Sequence, residues 1–160
     1  VREVAAYLHG DAGDPRAPLA AALVKAIGSK GSVVAYNQGF EARVLNELSE
    51  LFPEHAKKLS TVVDRLVDPL PIFRSFVYDA EFMGSFSIKS VAPALLGAKA
   101  GYEGLVVGDG QAAQIAFSEM VFGSDAVSGA RRAGLRAALL DYCRKDTEEM
   151  AGLVAWLFAK

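Results

Sequence analysis

Hydrophobic positions recur along this chain with two different periods, and the alternation sets out its elements. Residues 3–9 (Glu-Val-Ala-Ala-Tyr-Leu-His) read as a short strand, and Gly10 to Gly13 as a turn. Asp14-Pro15 then resembles an N-cap followed by proline at the first helical position. Leu19, Leu23, Val24 and Ile27 follow at helical spacing, and Gly28 ends that helix. Residues 32–36 are apolar and partly β-branched, as a buried strand requires. Val44, Leu45, Leu48, Leu51 and Phe52 mark the inward face of a second helix, stopped at Pro53. Leu59, Val62, Val63, Leu66 and Val67 fit a helix better than a strand, with Pro69 and Pro71 interrupting it.

Beyond Gly84, the pattern is mainly helical. Ser87 can cap a helix carrying Ile88, Val91, Leu95 and Leu96, bent by Pro93 and closed by Gly97. Residues 105–107 fit a short strand or an extended arm, and Asp109 opens a helix to about Met120. A final helix runs from about Gly129 to the end, with Leu135, Leu139, Tyr142, Cys143, Met150, Leu153, Val154 and Leu157 inward. The order β-α-β-α followed by helices predicts a single α/β domain over 1–160, a short central sheet flanked by helices. Three strands are few for an open sheet. Starting at Val1 rather than Met, the chain reads as an excised domain with an incomplete sheet.

With 52% hydrophobic and 22% charged residues, the composition is that of a soluble protein. The net charge of −2 and pI near 5.7 supply no global basic field for nucleic acid. Metal ions can supply that charge instead. One cysteine, Cys143, excludes an internal disulfide and fits a reducing cytoplasm. With only His9 and His55 beside it, ligands for a structural zinc are too few. No apolar run reaches the ~18 residues of a membrane span.

Two acidic positions stand out. Asp146 lies four residues after Tyr142, in a stripe otherwise holding Leu139, Met150 and Leu153. A carboxylate there needs a metal, a hydrogen bond or a cation. An Asp bridged to arginine, or capping another helix, satisfies the position equally well. Glu41 follows a strand at a helix start, where the dipole alone justifies an acid and where α/β proteins also place ligands. Asn37 can bond the turn backbone, and Phe40 is expected in the core.

These residues resemble a family. Asn37-Gln38-Gly39-Phe40-Glu41 is similar to the second motif of RNase H-like DEDD 3′–5′ exonucleases. Tyr142-Cys143-Arg144-Lys145-Asp146 is similar to the third motif of their tyrosine-type branch. Ser87-Ile88-Lys89 with Leu95-Leu96-Gly97 resembles the helix between those motifs. Gly84-Ser85-Phe86-Ser87-Ile88-Lys89 together with Tyr-Cys-x-x-Asp-Thr is closer still to an uncharacterised bacterial domain of unknown function, predicted to belong to the same superfamily.

The resemblance implies an RNase H-like fold lacking its first strand or strands. It implies a hydrolase of DNA or RNA acting from the 3′ end with two Mg²⁺ or Mn²⁺ ions. Glu41 and Asp146 would be metal ligands, and Tyr142 the phenol that orients water. Asn37 and Phe40 would lie near the substrate strand. Lys89 is a separate candidate for approaching phosphate, although an exposed helix lysine needs no function. No Asp-x-Glu first motif occurs, and Glu41 stands where Asp is usual. The chain is therefore expected to be inert as it stands, working with other domains of a longer cytoplasmic protein. A catalytically dead module binding nucleic acid or a protein partner is the alternative.

Other features carry plainer readings. Gly108-Asp109-Gly110-Gln111-Ala112-Ala113 matches Gly-x-Gly-x-x-Ala, but a turn with an N-cap explains it without a nucleotide. Asp64, Arg65 and Asp68 read as a solvated or salt-bridged helix face. Arg131, Arg132 and Arg136 form the one local basic cluster, a candidate for holding a phosphate backbone. Cys143 reads as a small buried hydrophobe.

Overall fold

The computed structural model describes residues 5–124 and 126–160, with Lys99 described by its backbone alone. Contacts gather the chain into two compact units. Of the described residues, the first comprises 5–9 and 13–78, the second 10–12, 79–124 and 126–160.

The N-terminal unit runs α1 (Arg16–Ala26), β1 (Val33–Val34), α2 (Gly39–Leu51), α3 (Pro53–Val63), β2 (Leu66–Val67) and α4 (Leu70–Phe76). Asp14 accepts the Arg16 N–H at 3.0 Å, doing from two residues away what an N-cap does. Pro53 sits at the first position of α3, where its missing N–H costs nothing. The core joins Ala20, Leu45, Leu48, Leu59 and Val62, with Leu19, Leu23, Val24, Ile27 and Val44 against it. Leu51 falls off this face and is half exposed. The strands pair in parallel, Val33 opposite Leu66 and Val34 opposite Val67. Parallel strands need a long crossover, and here α2 and α3 supply it. Arg65 fastens the pair by donating to the carbonyls of Thr61, Gly31 and Gly28 at 3.1, 3.0 and 2.7 Å.

The C-terminal unit is helical: α5 (Ile88–Leu96), α6 (Gly110–Phe122) and α7 (Gly129–Phe158), with single 3₁₀ turns at Ala80–Phe82 and Ala98–Ala100. Phe82, Val91, Ala92, Val107, Ala116, Met120, Leu135, Leu139 and Leu153 form its buried set. Asp109 caps α6, accepting the Ala112 N–H at 2.8 Å. Ser128 caps α7 through Arg131 N–H. No helix among the described residues is long and apolar enough to cross a membrane.

A central sheet flanked by helices, as in the RNase H-like fold, is not what forms. Among the described residues there are seven α-helices and one two-stranded parallel pair. Of the expected strand at 3–9, residues 3 and 4 lie outside the described residues, and residues 5–9 have no strand partner. Alanines there favour a strand weakly, and His9 instead bonds the Tyr7 hydroxyl and the Gly13 carbonyl. Residues 105–107 bury Val107 and expose Val106, yet Leu105 N–H closes a turn onto the Tyr102 carbonyl, so no ladder forms. Leu66–Val67, expected to continue a helix, is the second strand. The helix ends at Val63, and Pro69 and Pro71 start α4 rather than breaking a longer helix.

Candidate functional site

The residues expected to share one site fall in two groups. Lys89, Tyr142 and Asp146 belong to the C-terminal unit, and Asn37, Phe40 and Glu41 to the N-terminal unit.

In the C-terminal unit, α5 and α7 pack together, and Lys89 at the start of α5 meets Tyr142 of α7. Lys89 Nζ lies 5.1 Å from the Tyr142 ring centre and 4.8 Å from that of Tyr102. The two rings are tilted by 53° with centres 6.0 Å apart. An ammonium over two phenol faces is held by their quadrupoles, and Lys89 also donates to the Gly108 carbonyl at 2.7 Å. Tyr102 donates to Asp146 Oδ1 at 2.5 Å, joining the loop before α6 to the middle of α7.

Burial raises the Tyr102 phenol well above its ordinary range, helped by the hydrogen bond to Asp146 and by the charges of Asp146 and Glu149. Burial, with the charge of Asp146, pushes Tyr142 up to about 12. Both phenols therefore remain protonated at neutral pH. Tyr102 is a donor to Asp146, and Tyr142 can orient a polar group by hydrogen bonding without acting as a base. A groove of about 470 Å³ opens beside this cluster, lined in part by Lys89, Tyr102, Glu81 and Glu103.

Glu149, three residues after Asp146, is 3% exposed. Its Oε1 pairs with Lys145 at 2.7 Å, while Oε2 is buried with no hydrogen-bond partner among the described residues. Neither Tyr102 nor Glu149 stood out in the sequence. Glu149 had a signal, since 142, 146, 149 and 153 continue one helical stripe and Lys145 precedes it by four. For Tyr102 there was none: its partner lies 44 positions away.

In the N-terminal unit, Asn37 takes the left-handed conformation with φ 61°, turning the chain from β1 into α2. Asp68 anchors that turn, accepting N–H from Asn37, Gln38 and Leu70 at 2.9, 3.1 and 2.9 Å. Asp68 is thus a turn clamp rather than part of a solvated helix face. Glu41 is exposed in the first turn of α2, on the side continued by Leu45. Phe40, expected in the core, is 64% exposed with Arg43 over its ring at 5.3 Å. It lies about 140° round the helix from buried Leu45 and about 80° from Leu48, at the edge of the inward stripe.

Two divalent ions need several oxygen ligands converging on one point. No group of three or more His, Cys, Asp and Glu able to hold a metal occurs among the described residues. Asp146 already receives Tyr102, and Glu149 receives Lys145. The side chains as arranged do not fit a Mg²⁺ or Mn²⁺ pair. The basic cluster is also engaged elsewhere: Arg131 pairs with Glu119 at 2.8 Å, and Arg132 donates to the Met120 and Gly123 carbonyls that end α6. Cys143 is exposed rather than buried. The Gly108–Ala113 stretch has neither a strand before it nor one after it, and its Asp109 serves as the N-cap.

A family model described as a domain of unknown function, DUF2779, matches residues 2–87. The chain belongs to this family. No curated protein and no solved structure matches it. The DUF2779 match takes in Asn37, Phe40, Glu41 and Asp68 and stops at Ser87, the residue preceding α5. Lys89, Tyr102, Tyr142 and Asp146 lie beyond it.

Proposed function

We propose that this chain is the 3′-end-binding part of a metal-dependent 3′–5′ exonuclease of the DEDD tyrosine type, holding DNA or RNA without cleaving it as it stands. One observation carries the reading. The Ser-Ile-Lys segment and the Tyr-Cys-x-x-Asp segment, about fifty residues apart in sequence, meet so that Lys89 lies against Tyr142 on the helix that carries Asp146. A cation beside a protonated phenol and a groove suits a terminal phosphate and hydroxyl. Kinship with the exonuclease superfamily rests on these motif residues and draws nothing from the fold. Mg²⁺ or Mn²⁺ would supply the hydrolytic chemistry in the complete enzyme.

Binding without any catalysis, even in the natural full-length polypeptide, is the second reading. The absence of a three-acid group among the described residues favours it.

End-labelled oligonucleotides separate the two. Incubated with Mn²⁺, the full-length polypeptide is expected to shorten DNA or RNA stepwise from the 3′ end, and an Asp146→Ala form to leave it intact. This chain alone is expected to bind and not cut. Intact substrate with well-folded full-length protein would reject the enzyme and leave the binding module.

A further inference from the structure

Tyr102 is carried on a short lobe between Gly97 and Gly104, two glycines with φ of 91° and 84°. Such positive angles are available to glycine at little cost and suit hinge positions. Within the lobe, the backbone bonds are local: Ala100 N–H to Gly97, Gly101 N–H to Ala98, and Leu105 N–H to Tyr102. Its other described side chains are small or exposed, Ala98, Ala100 and Glu103. Val107, beyond the second hinge, is buried and fixes the chain there. Among the described side chains of the lobe, Tyr102 is the one hydrogen-bonded to α7, while the Ala98–Ala100 turn rests against α5. Tyr102 makes that bond to the acid of the Tyr-Cys-x-x-Asp motif, while its ring covers Lys89.

We infer that Tyr102 is a latch: its hydroxyl occupies Asp146 Oδ1, and the Ala98–Glu103 lobe must swing out before Asp146 can engage a cation or a substrate hydroxyl. This regulates the site of the proposed function and takes its relevance from that reading. A phenol hydrogen-bonded to a carboxylate competes with any other ligand for that oxygen. Losing one charge-assisted bond raises the open population about tenfold or more.

The latch is tested with no metal or nucleic acid present. Carbodiimide-driven coupling of glycine ethyl ester, read by mass spectrometry of peptides, reports how reachable each carboxylate is. Glu148, two residues on and well exposed, is the internal reference. In the wild-type protein, Asp146 is expected to react much more slowly than Glu148. In Tyr102→Phe, which keeps the ring over Lys89, Asp146 is expected to react about tenfold faster, with Glu148 unchanged. Equal rates for Asp146 and Glu148 in the wild-type protein would overturn the latch without use of any variant. An unaltered Asp146 rate in a folded Tyr102→Phe protein would overturn it too. A tenfold response alongside failed cleavage by the full-length polypeptide would leave the latch in place and remove the nuclease.

Discussion

Asp68→Ala is expected to destabilise the N-terminal unit by about 3 kcal/mol, the sum of three backbone donors losing a charged acceptor after partial replacement by water. Oδ1 serves Asn37 and Leu70, and Oδ2 serves Gln38. The carboxylate thereby holds the left-handed turn after β1 and the start of α4 at once. Two places far apart in sequence fail together when it is removed. Asp68→Asn keeps one oxygen and the shape, so a loss of about 1 kcal/mol is expected, from the Gln38 bond alone. Urea unfolding measures both. Coincident curves for wild-type and Asp68→Ala would show that the turn is held by something else.

Lys145→Met is expected to cost about 3 kcal/mol or more, because it strands the Glu149 carboxylate in the core. Glu149 is 3% exposed, and the Lys145 ammonium is the cation paired with its Oε1. Among the described residues the second oxygen already lacks a hydrogen-bond partner, so the Lys145 contact is the one polar contact the carboxylate is seen to make. Replacing both residues, Lys145→Met with Glu149→Leu, removes the buried charges together and is expected to recover most of the stability. Thermal melting of the two single variants and the double variant closes the cycle. Additive losses would mean that the pair is not coupled and that Glu149 is neutralised in another way.

The helices were legible because their apolar residues keep a helical period and their ends carry Pro53, Asp109 and Gly97 in position. The sheet was not. Leu66–Val67 continues the apolar run of α3, and two residues have no period of their own. Only pairing with Val33–Val34, fastened by Arg65, makes them a strand. Residues 105–107 alternate as a strand would but meet no partner, and a pattern cannot supply one. In the site, Tyr142 and Asp146 were visible through their spacing of four, and Lys89 through the motif that surrounds it. Tyr102 acts through a contact 44 residues distant and leaves no trace in local sequence, whereas Asp68 leaves one only in its bond to Leu70, two residues on, and not in those to Asn37 and Gln38, 31 and 30 positions away.

We propose that Lys89, Tyr142 and Asp146 receive the 3′ end of a nucleic-acid strand, with Tyr102 moving off Asp146 as they do. Titration of the isotopically labelled protein with a short single-stranded oligonucleotide, once with a 3′-hydroxyl and once with a 3′-phosphate, tests it directly. The account predicts resonance shifts centred on those four residues, altered by the change at the 3′ end and lost in Lys89→Ala. Shifts centred on another face, or none with either oligonucleotide, would contradict it.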